Sequence, residues 1–217
     1  MSDGRNLPMF YFTLSQDGAY ELEIKKSRFL CQLKRVPTKK MARNFIAEVK
    51  REHFKSRHNC SAFIVGNNGE IKQSSDDGEP SGTAGVPMLE VLKNKQLINV
   101  CAVVTRYFGG IKLGVGGLIR AYTQSVAKAL QKVKLVKIML QQEIHLKIDY
   151  TLNRKLQYFF TLHPEYMVKK SLFMGHIEII VFVSKKSVTS FQKEVKNLLN
   201  GKVNFKFGKF TYNEVLI

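Results

Sequence analysis

The sequence predicts an α+β protein built from two domains, and three observations carry that expectation. Strand-like and helix-like periodicities are interleaved along all 217 residues. Most glycines lie between Gly66 and Gly117, with only Gly175, Gly201 and Gly208 after them, so the first part of the chain holds the unusual backbone geometry. The remainder reads as a plain βαββαβ series. A joint is expected near Ile138, giving domains 1–138 and 139–217.

In chain order, Ala19–Ile24 and Arg28–Leu33 have the composition of strands. Thr38 is placed to cap a helix reaching about Phe54, with Met41, Phe45, Ile46 and Val49 on its apolar side. Cys60–Gly66 and Glu70–Ser74 flank Asn67-Asn68-Gly69, a hairpin signal. Ala84–Leu92 reads as a helix with Pro87 in its first turn, where a missing N–H costs little. Ile98–Thr105 is a continuous apolar run, as expected of a strand buried on both faces. Gly116–Val133 places Leu118, Ile119, Tyr122, Val126, Ala129 and Leu130 on one helical face.

Beyond the joint, Gln142–Tyr150 alternates, with Ile144, Leu146 and Ile148 facing one way and His145, Lys147 and Asp149 the other. Leu152–Leu162 has helical spacing and stops at Pro164. Tyr166–Phe173 and His176–Ser184 are strands joined at Met174-Gly175. Val188–Leu199 is an amphipathic helix closed by Asn200-Gly201, and Val203–Tyr212 is a last strand. This order is the split-βαβ, or ferredoxin-like, arrangement. It contains no cluster of titratable residues at metal-ligand spacing.

Composition narrows the function. Lys and Arg number 35 against 17 Asp and Glu, a net charge of +18. The excess is +12 over residues 1–139 and +6 over 140–217, so it is not an appended basic tail. Hydrophobic residues at 44% support a packed core. Such a surface suits an anionic partner, nucleic acid or a ribosome, although 26 of the basic residues are Lys and dispersed Lys also serves solubility. The N-terminal ten residues lack the apolar core of a secretory signal, and no apolar run approaches a membrane span. Cys31, Cys60 and Cys101 lie far apart with no CxxC pair. A cytoplasmic protein with no membrane partner, metal or cofactor is expected.

Two segments carry the chemistry. The second is Val104-Thr105-Arg106-Tyr107-Phe108-Gly109-Gly110-Ile111-Lys112-Leu113-Gly114-Val115-Gly116-Gly117-Leu118-Ile119-Arg120-Ala121-Tyr122. A buried strand ends at Arg106, a glycine-rich loop follows, and a helix begins. The free N–H groups of such a helix start attract an anion. An anion or nucleic-acid site is expected at Arg106, Lys112, Gly114, Gly116, Gly117 and Arg120. A structural ion pair for these basic residues fits equally well. Tyr107, Phe108 and Tyr122 could stack on bases, but a core role is preferred. No GK[ST] follows the glycines, which argues against an ATPase.

The first segment is Ser75-Asp76-Asp77-Gly78-Glu79-Pro80-Ser81-Gly82-Thr83-Ala84-Gly85-Val86-Pro87, whose residues Asp76, Asp77, Gly78, Glu79, Pro80, Ser81, Gly82 and Thr83 form an acidic loop. Its three carboxylates invite a cation, and the arginines of the other segment are preferred to a hard metal ion. Asp76 or Asp77 could instead cap the turn. Ser81 or Thr83 as nucleophile with His58 as base would make a hydrolase, but no nucleophile elbow surrounds them. His58 reads better as a hydrogen-bonded residue at a strand entrance.

Together with His58-x-Cys60-x-Ala62 and Lys26-Ser27-Arg28-Phe29, these two segments closely resemble the YigZ/Impact family, over about Glu21 to Val133. A small departure is Phe63, near which a Tyr or Trp is expected. The resemblance implies a ribosomal-protein-like α+β first domain with a left-handed crossover. It also implies a second domain like the last one of elongation factor G, in the bacterial two-domain form. It places the protein in translational control, since the eukaryotic relative acts during amino-acid starvation. The expected function is therefore a non-enzymatic, RNA- or ribosome-associated regulator of translation. A hydrolase using the acidic loop and an adaptor binding translation-regulatory proteins are the alternatives.

Overall fold

A computed structural model describes residues 8–215. The chain is mixed α and β, with two antiparallel sheets and five α-helices among the described residues. Packing divides it into residues up to Lys137 and Ile138–Val215. Among the described residues no helix is long and apolar enough to cross a membrane.

The first unit contains β1 (Phe10–Leu14), β2 (Gly18–Ile24), β3 (Ser27–Arg35), α1 (Lys39–Glu52), β4 (His58–Val65), β5 (Ile71–Ser75), α2 (Gly85–Asn94), β6 (Val100–Tyr107) and α3 (Val115–Lys132). Its sheet runs β2-β3-β6-β4-β5. The central strand β6 pairs antiparallel with β3 on one side and β4 on the other, which sets Arg106 level with Phe29 and with His58. Val100, Ala102 and Val104 pack in a core with Met88 and Leu92 of α2 and Tyr122 and Val126 of α3. Cys101 and Val103 face the opposite way, into a second core with Ala42, Phe45 and Val49 of α1. A strand sandwiched in this way has no solvent face, which explains its unbroken apolar run.

Helix α1 starts where expected. Thr38 is extended and its side chain accepts the Met41 N–H at 3.2 Å, while Lys50 and Arg51 sit in the last turn, where the helix dipole favours cations. Met41 is exposed rather than apolar-facing, as is Ile119 on α3. Each stands one position, about 100° of helix rotation, away from the residue that enters the core, Ala42 or Leu118. Strand β1, not anticipated from sequence, is held by Ile98 N–H on Phe12 O and Ser15 N–H on Lys134 O.

The second unit is built on β7 (Leu135–Ile148), α4 (Tyr150–Leu162), β8 (Met167–Phe173), β9 (Ile177–Ser184), α5 (Val188–Leu198) and β10 (Asn204–Val215). A single 3₁₀ turn, Lys185–Ser187, precedes α5. The order β10-β7-β9-β8 is that of the ferredoxin-like fold. Strand β7 begins seven residues earlier than its expected start at Gln142. The alternation of Val136, Ile138 and Leu140, all buried, carries it back toward α3. The unit boundary therefore falls inside a strand and not in a linker. Behind the sheet, Phe191 is fully buried against Tyr166 at 4.7 Å between ring centroids and against Phe159 and Phe160.

On the other face of this sheet His145 lies between two carboxylates, with Nδ1 2.6 Å from Glu178 and Nε2 2.9 Å from Glu143. These bonds, that to Glu178 foremost, hold the imidazole above its ordinary pKa of 6.5. The same bonds hold both carboxylates below their ordinary 4.5. The histidine's contribution to stability is complete below its unfolded pKa and is lost as pH rises through the raised folded value. The carboxylates' contribution is lost as pH falls through their depressed values. The cluster therefore supports the fold best between about pH 4.5 and 6.5. We expect His145→Ala to flatten the decline in thermal stability expected of the native protein as pH rises above about 6.5, read from Tm across a pH series.

Candidate functional site

The acidic loop and the glycine-rich segment meet over the end of β6. Glu79 turns inward from the loop, and its Oε1 accepts from Arg106 Nη1 at 2.7 Å and from the Tyr122 hydroxyl at 2.8 Å. The two charged side chains are only 3% and 8% exposed. The Arg106 guanidinium also lies within cation–π range of two rings, 5.4 Å from the Phe29 centroid and 5.5 Å from that of Phe108. Its buried Nε has no hydrogen-bond partner among the described residues. Burial, and next the negative charges around it, drive the Tyr122 pKa well above the ordinary phenol range.

The other two carboxylates hold backbone in place. Asp76 accepts from the N–H groups of Gly82 (2.9 Å), Ala84 (3.0 Å) and Gly85 (2.8 Å). Ala84, the residue before α2, offers no side-chain cap, so Asp76 caps this helix from the loop. Partial burial pushes the Asp76 pKa up, and the three N–H bonds outweigh it and leave the carboxyl below its ordinary value. Asp77 takes the Asn59 N–H at 2.7 Å and the Lys50 ammonium at 2.5 Å. It stands in the left-handed region at φ +43°, followed by Gly78 at +87°.

His58 begins β4 and its Nδ1 meets the Asp77 carbonyl at 2.9 Å, the strand-entrance role expected of it. The Cys60 thiol donates to the Asp76 carbonyl beneath the loop. Burial raises its pKa to about 12. The Thr83 hydroxyl is buried on the Pro80 carbonyl, and Ser81 is exposed at the loop surface.

These residues wall a cleft of ≈ 360 Å³ at the mouth of the sheet. Arg57, His58 and Arg106 come from β4 and β6 or their approaches, and Glu79 and Pro80 from the acidic loop. Phe108, Lys112, Leu113, Gly114, Val115 and Leu118 come from the loop and first turns of α3. Gly114 stands before α3 at φ +70° and gives the helix no side-chain cap, so the first N–H groups have none from that residue. Gly109 is forced by proximity: a Cβ there would fall 2.0 Å from the Lys26 carbonyl, and its N–H instead reaches Ser27 Oγ at 3.1 Å.

Of the six expected anion-site residues, Arg106, Lys112 and Gly114 line the cleft. Gly116 and Gly117 lie in the first turn of α3 without lining it, and Gly117 faces Leu113 instead. Arg120 is exposed, and its Nη1 lies 3.8 Å from where a Cβ on Gly116 would stand. Its position further along α3 carries it off the cleft wall. The expected ion pair between the acidic loop and an arginine is present, made by Arg106 with Glu79. Tyr122 is in the core as preferred, but Phe108 is 56% exposed, because it leaves the sheet as the strand ends. Arg57 was not singled out from sequence. Only the β4–β6 register, which sets His58 opposite Arg106, brings its neighbour Arg57 to the cleft.

Removing one partner of the Glu79–Arg106 pair strands a buried charge. We expect Glu79→Ala or Arg106→Ala to cost about 3–5 kcal/mol in urea unfolding. Replacing the pair together by Leu and Met should recover most of that loss.

Residues 25–130 match the family model of the Impact N-terminal domain. The chain is 45% identical over 204 residues to the IMPACT family member YvyE of Bacillus subtilis strain 168, covering 94% of each chain. It is 39% identical over 188 residues to an IMPACT family member of Haemophilus influenzae, covering 85% of this chain and 90% of that one. Over 131 residues it is 44% identical to the IMPACT family member YigZ of Escherichia coli K12, covering 57% of this chain and 64% of that one. A crystal structure described as that of a hypothetical protein shares 29% identity and a TM-score of 0.60, over 92% of this chain and 97% of the other. The matched segment holds both the loop that supplies Glu79 and the glycine-rich entry to α3, and the likeness to YvyE runs almost end to end: the chain belongs to the IMPACT family.

Proposed function

We propose that the protein is a non-enzymatic, RNA- or ribosome-associated regulator of translation that acts in the cytoplasm, with the cleft above α3 as its contact for nucleic acid. The observation that carries this reading is the pairing of an exposed aromatic with positive charge at an open helix start. Phe108 lies beside Arg57, Arg106 and Lys112, next to the uncapped N-terminus of α3. An exposed ring offers a stacking face to an unpaired base, and cationic side chains with free N–H groups serve phosphate oxygens. The net charge of +18 adds long-range attraction to a polyanion. All three carboxylates of the acidic loop are engaged by arginine, lysine or backbone N–H, which supports a structural use for the loop over acid–base chemistry. A protein partner is the second reading, favoured by the aliphatic rim of Ile111, Val115 and Ile119, each exposed beside or near the cleft.

Sedimentation with ribosomes and with single-stranded RNA across a KCl series tests the proposal. Each phosphate contact contributes roughly 0.7–0.9 to the log–log salt slope, so Arg57→Ala with Lys112→Ala should lower that slope by about 1–2. Phe108→Ala should weaken binding by about 5–100-fold with the slope unchanged. Arg106→Ala does not serve, because it leaves Glu79 buried without its partner. Binding unaltered by all three substitutions would overturn the assignment of the cleft.

A further inference from the structure

We infer, resting on the nucleic-acid reading above, that the cleft accepts a single nucleotide unit bearing a terminal phosphate monoester, and not the internal phosphodiesters of a strand. The argument starts from charge. Arg57, Arg106 and Lys112 against Glu79 give the cleft wall a formal +2 from its arginine, lysine and glutamate side chains. A phosphate monoester carries roughly −1.5 to −2 near pH 7, with a second ionisation near pH 6. An internal diester carries one negative charge and would leave half of this unbalanced.

The donors fit the same group. Arg106 is 7% exposed and fixed at Nη1 by Glu79, yet its buried Nε has no partner among the described residues. A guanidinium held rigidly by one carboxylate on a cleft wall is pre-positioned for a second anionic oxygen in that cleft. The first turn of α3 adds N–H groups that have no acceptor within the helix, and Gly114 itself places no side chain before them.

Size and apolar lining identify what the phosphate is attached to. A volume of ≈ 360 Å³ lies at the low end of the range for sites that enclose one small ligand. Phe108, Leu113 and Leu118 offer an apolar wall for a ring. A bare anion would leave that wall wet. The residues that wall the cleft, from the acidic loop to the start of α3, enclose room for about one nucleotide unit. The nucleotide has two sources of the same chemistry: free mononucleotide, or the 5′ end of an RNA.

Equilibrium titration of the full chain decides this, using AMP, adenosine, inorganic phosphate, and two short RNAs of one sequence ending in 5′-phosphate or 5′-hydroxyl. AMP should bind at least about tenfold more tightly than adenosine or inorganic phosphate. The gap to adenosine should shrink below about pH 6. Lys112→Ala should reduce that gap, Phe108→Ala should weaken AMP and adenosine alike, and Lys196→Ala on α5 should change neither. Tm measured on each variant confirms that it is folded. If 5′-phosphate RNA displaces AMP and 5′-hydroxyl RNA does not, the RNA end is the source. If AMP binds and neither RNA displaces it, the inference stands with free nucleotide as ligand, and the RNA reading falls. If the two RNAs bind equally and AMP binds no better than adenosine, the inference is overturned while the RNA reading stands. AMP no tighter than inorganic phosphate also overturns it, and no binding by any of the five overturns both.

Discussion

The contact between Glu79 and Arg106 is the constraint on which the first unit's functional end is built. One carboxylate oxygen accepts from a guanidinium at the end of a central strand and from a phenol on a helix, and the carboxylate itself belongs to a loop. Three elements distant in sequence are thereby held to one atom of an almost fully buried carboxylate. Burial of two charges is expensive, and a well-made pair offsets that expense without turning it into a large gain. What the pair supplies is position. Arg106 cannot swing out to solvent without exposing a buried carboxylate to an apolar surround, so its remaining N–H stays where the fold puts it.

Around that fixed point the acidic loop is satisfied almost entirely from within. Asp76 replaces the missing cap of α2, and Asp77 ties the loop to the start of β4 and to α1 through Lys50. The clustering of carboxylates in the sequence thus reflects the number of polar groups a tight turn must satisfy where it crosses the end of a sheet. The positive charge left over is correspondingly local. Arg57 and Lys112 are exposed at the cleft, whereas most of the chain's cationic excess is distributed over the rest of both units.

The extent to which this arrangement could be read from sequence follows the range of the interactions involved. Periodicity located α1, β6, α3 and the whole βαββαβ order of the second unit, because each depends on neighbours within a few positions. Local chemistry also revealed the Thr38 cap and the preference for an arginine–carboxylate pair. Strand β1 escaped because its pairing lies with residues near 97 and 134, far along the chain. Arg57 escaped for the same reason, since only strand register brings it to the cleft. Arg120, expected at the glycine-rich helix start, lies beside Gly116 without lining the cleft. Phe108 was given to the core on the ordinary behaviour of aromatics, a rule that fails where a strand runs out from under its covering helix.

Cys60 lies under the acidic loop with its thiol bonded to the Asp76 carbonyl and its ionisation suppressed. A thiol in that state is nearly inert toward alkylating reagents. It reacts only during excursions in which the loop lifts, so the rate of its modification counts those excursions. Cys31 and Cys101 lie deeper, on the two faces of the same sheet, and open only with larger parts of the fold. The three cysteines thus form a graded clock. The first to react reports motion at the cleft, and the later ones report loss of the sheet itself.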